Sequence, residues 1–121
     1  LAKHTFGQPR ALASELASVL PSAVVGCLDL DGLEIVPGSF SDADLRASHS
    51  DILARVPAAS TGEVFVYVVF EHQSTPDPSM PWRMYCYLAQ VWTRLKRDDP
   101  SPGSPVVIPI VLHHGPSGDA V

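Results

Sequence analysis

Cysteine is scarce in these 121 residues, and the two present, Cys27 and Cys86, are too few for a disulfide framework and lack the paired spacing of a zinc site. They read as buried apolar fillers. Long hydrophobic runs are missing too. The longest, Val64 to Phe70, falls far short of the ~20 residues a membrane helix needs, and no basic-then-apolar leader precedes it. A soluble, cytoplasmic protein without a membrane span is expected. Basic residues are outnumbered, 8 Lys and Arg against 13 Asp and Glu, for a net charge of -5, which argues against a general polyanion binder.

What is present suits one globular domain over residues 1–121, with 45% hydrophobic residues to build a modest core. The chain opens at Leu1 without an initiator methionine and closes on "HHGPSGDAV", which reads as a fragment truncated at both ends. Twelve prolines punctuate the elements. Leu12, Leu16, Val19 and Leu20 fall at helical spacing between Pro9 and Pro21. "LEIV" (33–36) predicts a short strand closed by Pro37-Gly38, and "SDADLRASHS" (41–50) predicts turns or a short capped helix. "DILARV" (51–56) predicts a second strand beginning on Asp51. "STG" (60–62) turns into a third strand that runs from Glu63 to Gln73. Pro81 opens a helix over 81–99 whose stripe reads Trp82, Tyr85, Leu88, Ala89, Trp92 and Leu95. "VVIPIVLHH" (106–114) predicts a fourth strand, with Pro109 marking a bulge or an edge. The expected class is α/β, in the order helix, strand, strand, strand, helix, strand. A final strand–helix–strand unit is parallel by preference, so the sheet should be mixed and flanked by helices.

The chemistry gathers where "VYVVFEHQSTPDP" (67–79) leaves an apolar run for Glu71, His72 and Gln73. Alternation points Glu71 and Gln73 to one face and Phe70 and His72 to the other. If the hairpin closes between Val56 and Val64, Asp51 and Glu71 come near each other with a stagger of two residues. Carboxylates that close repel unless a cation sits between them or one is protonated. Oxygen ligands of this kind suit Mg²⁺ or Mn²⁺.

An aspartate opening the second strand and Glu-x-Gln closing the third resemble the PD-(D/E)XK nuclease superfamily, with its restriction-endonuclease-like core. More narrowly, "PGSFSDADLRASHSDILARVP", "FEHQSTPDPSMPWRMYCYLAQVW" and "VVIPIVLHHG" are similar to the YhgA-like transposases, or recombination-promoting nuclease (Rpn) family, from about Phe6 to Gly115. The resemblance implies a metal-dependent DNA endonuclease, linked to recombination or mobile elements, in which Asp51 and Glu71 bind the metal and the His72 carbonyl joins them. Gln73 stands where the superfamily usually has lysine, and glutamine only hydrogen-bonds. Arg83 or Arg55 would then supply positive charge. The family's acidic N-terminal segment ahead of "FG" is replaced by "LAKHTFG", and Glu15 on the first helix is an additional acidic candidate. DNA is the implied partner, its basic contacts coming from a further segment or from a second copy in a homodimer.

Blander readings stand beside these. His49, His72, His113 and His114 match no zinc spacing and read as surface or strand-end residues. Trp82, Tyr85, Tyr87 and Trp92 could stack on bases, but Trp82, Tyr85 and Trp92 fit the helical stripe, hence the core. Arg94, Lys96 and Arg97 are candidate DNA contacts or simply a solvated helix end. The rival functions are a nuclease-like fold kept for binding or assembly, with Gln73 marking lost catalysis, and a DNA-binding accessory to transposition that does not cleave.

Overall fold

A computed structural model describes residues 8–38, 49–72 and 77–113. The 41–48 stretch, Gln73 and both chain ends lie outside them. Helix α1 spans Pro9–Val19, with proline in its first turn, where the missing N–H costs no hydrogen bond. A short helix α2, Ser22–Val25, and a 3-10 turn at Leu30–Gly32 follow, neither expected from periodicity. Strand β1 is Glu34–Val36, β2 is His49–Ala58 and β3 is Gly62–Glu71; helix α3 is Met80–Asp98 and β4 is Val107–His113. Strand order is β1-β2-β3-β4. The β1/β2 and β2/β3 pairs are antiparallel and β3/β4 is parallel, so the sheet is mixed and the α/β expectation holds.

The β2–β3 hairpin positions everything that matters later. Val56 pairs with Val64 and Ala58 with Gly62. Gly62 has φ +84° with open space around its Cα, so only backbone preference selects glycine there. At Gly38, which follows β1, φ is +114° and an added Cβ would lie 2.5 Å from the Arg94 guanidinium. β2 starts two residues before the expected Asp51. Ladder pairing continues to His49↔Glu71 whatever the polarity of the side chains, so Asp51 lies inside the strand rather than at its start. β4 is an edge strand, as Pro109 suggested.

Alternation along the hairpin divides the core in two. Ile52, Ala54, Val56, Val66, Val68 and Phe70 face α1 and meet Leu12 and Leu16. Leu53, Phe65, Tyr67 and Val69 face α3 and meet Met80, Met84, Tyr87, Val91 and Leu95. Burial of each large apolar side chain is worth about 1.5–3 kcal/mol, so the helices are held by stripes rather than by helix propensity. Here α3 departs from expectation. Trp82 and Tyr85 are each 70% exposed, and the buried stripe is rotated onto Met80, Met84, Tyr87, Val91 and Leu95. Both stripes obey helical spacing, and contact with the sheet decides between them. Cys27 and Cys86 are exposed, not buried fillers.

Candidate functional site

Glu71 ends β3, and Asp51 sits opposite Val69, one same-face step back along the ladder. Asp51, Val69 and Glu71 therefore share the face that α3 covers. The two carboxylates occupy a diagonal pair, for which Cα separations are about 7–8 Å. This is the two-residue stagger expected from the sequence. Asp51 is 1% and Glu71 3% exposed. Carboxylates buried this far are costly without hydrogen-bond donors or a counter-charge.

Each has donors close by. The Tyr67 hydroxyl donates to Asp51 Oδ2 at 2.6 Å, a length typical of a charge-assisted O–H···O bond. Burial first, then the hydrogen bond and charge of Asp51, push the Tyr67 hydroxyl well above the usual tyrosine range, which keeps it a donor at neutral pH. Glu71 Oε2 accepts the Asp77 N–H at 2.8 Å. Glu71 Oε1 lies 3.0 Å from His113 Nδ1, on the residue paired with it across the parallel ladder.

Asp77 is fixed in turn. Its Oδ1 accepts the Ser79 N–H and hydroxyl at 2.9 and 2.7 Å, a local turn that leads into α3. Arg83, in the first turn of α3, donates from Nε to Ser79 Oγ at 3.0 Å and lies 3.6 Å from Asp77 Oδ2. Arg83 thus stands at the same end of the sheet as Glu71. The exposed rings of Trp82 and Tyr85 stack beside it, 5.9 Å between centroids and 18° between planes.

Other candidates are elsewhere. Arg55 is four residues along β2 from Asp51, about 13 Å at strand rise, and pairs with Glu34 and Glu63 at 3.5 and 3.4 Å. Arg94, Lys96 and Arg97 sit at the C-terminal end of α3. Met80 to Lys96 is about 24 Å of helix, so this cluster belongs to the far end. There Lys96 Nζ donates to the Ser101 and Gly103 carbonyls, and Arg94 lies 3.8 Å from Asp98. Glu15 lies on α1, which packs on the opposite sheet face, so the structure does not bring it to Asp51 and Glu71. The His72 ring is directed away from Glu71, with Nε2 3.1 Å from Ser50 Oγ. Gln73 lies outside the described residues.

Three site residues escaped sequence reasoning. Tyr67 had a signal, since it shares strand parity with Glu71 and a buried tyrosine hydroxyl needs a partner. His113 had a weaker one, as parallel strands bring their C-terminal ends together. Asp77 acts through its backbone N–H, which no side-chain pattern reveals. Among the described residues, no group of three or more His, Cys, Asp or Glu is placed to hold a metal ion.

The family model described as "Putative transposase, YhgA-like" matches residues 1–118. The chain is 41% identical over 96 residues to the recombination-promoting nuclease RpnD of Escherichia coli O157:H7, a match covering 79% of this chain and 36% of that protein. It is 34% identical over 116 residues to the recombination-promoting nuclease RpnA of Escherichia coli K12, covering 95% and 39%. A third relative, 33% identical over 96 residues and covering 79% and 31%, is the inactive recombination-promoting nuclease-like protein RpnE of the same strain. The chain therefore spans between 31% and 39% of the length of these relatives. No solved structure matches it. With nearly the whole chain inside the family model, and with the mixed α/β sheet and hairpin the resemblance implied, the chain belongs to the YhgA-like transposase family, whose relatives named here are recombination-promoting nucleases and a nuclease-like protein called inactive.

Proposed function

We propose that this chain is the nuclease domain of a recombination-promoting protein, hydrolysing DNA phosphodiester bonds with Mg²⁺ or Mn²⁺ held by Asp51 and Glu71. One observation carries the reading: two carboxylates are buried on one sheet face, a diagonal step apart, where β3 ends. Mg²⁺ is commonly bound by one or two carboxylates, with waters and a substrate phosphate as its other ligands, so a pair is enough. Hard oxygen donors favour Mg²⁺ or Mn²⁺ over thiophilic metals. A carboxylate has about four acceptor positions, so the hydrogen bonds from Tyr67, Asp77 and His113 are compatible with coordination. Once bound, such an ion polarises the phosphate and lowers the pKa of the attacking water.

The chain's own residues do the rest. Asp51 and Glu71 bind, with the His72 carbonyl as a further oxygen, and Tyr67 holds the Asp51 carboxylate in place. Gln73 orients the water by hydrogen bonding, without the charge a lysine would bring. Arg83, at the start of α3, faces the substrate phosphate in Arg55's stead. Arg94, Lys96 and Arg97 are too far away to touch the same phosphate. The rest of a longer protein, or a second copy, supplies the basic surface that a net charge of -5 denies this domain. No helix among the described residues is long and apolar enough to cross a membrane.

A second reading, a nuclease-like fold retained for binding without cleavage, draws on the Glu71 hydrogen bonds. Both of its oxygens have protein donors within reach, and one relative is named inactive. Nicking of supercoiled plasmid by the full-length protein, with Mg²⁺, Mn²⁺ or chelator, separates the two. Metal-dependent nicking that Asp51→Ala reduces at least 100-fold supports the nuclease. A folded protein that never nicks, with either ion, supports the binding module.

A further inference from the structure

Glu71 is the last residue of β3, and beyond a strand end nothing in the ladder fixes a side chain with three rotatable bonds. A free glutamate gives up rotamer freedom when ordered, so a binding carboxylate gains from being oriented beforehand. Two neighbours do this for Glu71. One is the Asp77 backbone N–H on Oε2. The other is His113, reaching Oε1 from β4 at 3.0 Å.

His113 is placed for the task by the sheet itself. The parallel ladder runs unbroken from Phe65↔Val107 to Glu71↔His113, so the register that buries Leu112 against the α1-side core also sets the imidazole beside the carboxylate. The His113 side chain is 39% exposed while that of Glu71 is 4% exposed. The ring therefore sits between the buried carboxylate and solvent. A neutral imidazole with its proton on Nδ1 is donor enough for this contact.

We propose that His113 is the positioning residue of the cation site: it binds no metal, but fixes the Glu71 carboxylate in the orientation that does. This rests on the reading of Asp51 and Glu71 as the cation pair. Partners of this kind, hydrogen-bonded to a coordinating carboxylate, typically contribute 10–100-fold to metal affinity.

The experiment measures Mn²⁺ affinity of the full-length protein, by calorimetry or by the loss of the free-ion electron paramagnetic resonance signal, for the parent, Asp51→Ala, His113→Ala and His113→Asn. Urea denaturation of each protein without metal runs alongside. Asparagine carries its amide nitrogen on Cγ, where imidazole carries Nδ1, and can donate from nearly the same place. His113→Ala is expected to weaken Mn²⁺ binding about 10–100-fold, with His113→Asn recovering most of the loss at similar metal-free stability. A merely structural role would track stability and give no such recovery. Mn²⁺ binding unchanged in His113→Ala but lost in Asp51→Ala overturns the positioning role and leaves the cation pair standing. A parent protein that does not bind Mn²⁺ overturns both. If His113→Ala fails to fold, His113→Asn decides: near-parental affinity supports the role, and affinity as poor as that of Asp51→Ala in a folded protein overturns it.

Discussion

Tyr67 has no exposed surface, yet its hydroxyl is engaged by Asp51 at 2.6 Å. Removing that donor leaves a buried carboxylate short of a hydrogen bond, a loss of about 1–3 kcal/mol. Tyr67→Phe should lower the urea-unfolding free energy at neutral pH by that amount. The difference shrinks at alkaline pH. A tyrosine that holds its proton more tightly folded than unfolded stabilises the fold fully below about pH 10, its unfolded pKa, and progressively less as pH rises beyond it. Parent stability should therefore fall more steeply than that of Tyr67→Phe between about pH 9 and pH 11, as followed by urea midpoints. At this scale the sequence was legible for the acids and opaque for their partners. The Val56/Val64 closure, if assumed, brings Asp51 and Glu71 near each other, whereas the contacts of Asp77 and His113 depend on a turn and on a distant strand.

Among the elements, α3 tests how far periodicity can be read. Trp82, Tyr85, Leu88, Ala89, Trp92 and Leu95 make a convincing stripe, and so do Met80, Met84, Tyr87, Val91 and Leu95. The aromatics weigh more in hydrophobicity, but the sheet offers a surface shaped by Leu53, Phe65, Tyr67 and Val69, and the methionine stripe packs against it. Met adapts to irregular gaps. Trp92 is only half-buried and donates its indole N–H to the Pro105 carbonyl at 2.7 Å. Met84→Ala should cost about 2–5 kcal/mol and Trp82→Ala no more than about 0.5 kcal/mol, measured by chemical denaturation. Equal costs would mean that the helix is rotated the other way. The hairpin was easier to read, because the turn at 60–62 announces it; the turn leaves the register open, and the ladder fixes it at Val56↔Val64. The start of β2 was not, since the ladder pairing of His49 and Ser50 with Glu71 and Phe70 is a matter of backbone and leaves no mark in residue type.

Over the whole molecule, the candidate site and the basic cluster lie at opposite ends of α3. Asp51 and Glu71 stand with Arg83 at the end where β3 and β4 finish, and Arg94, Lys96 and Arg97 stand at the other, beside Asp98 and Asp99. A cation held by Asp51 and Glu71 would bind only the folded chain, so it should stabilise it by about 2.7 kcal/mol at 100 times its dissociation constant. Thermal unfolding of the full-length protein should shift upward with Mn²⁺ in the parent and stay put in Asp51→Ala. Topology adds a temporal consequence. Asp51 and Glu71 meet on a local hairpin, whereas His113 lies 42 residues after Glu71, roughly 2–8 s of synthesis at 5–20 residues per second. During that interval a nascent chain can carry both acids without the strand that steadies one of them, and on the reading proposed above the full cation affinity of the pair is expected only once β4 has joined the sheet.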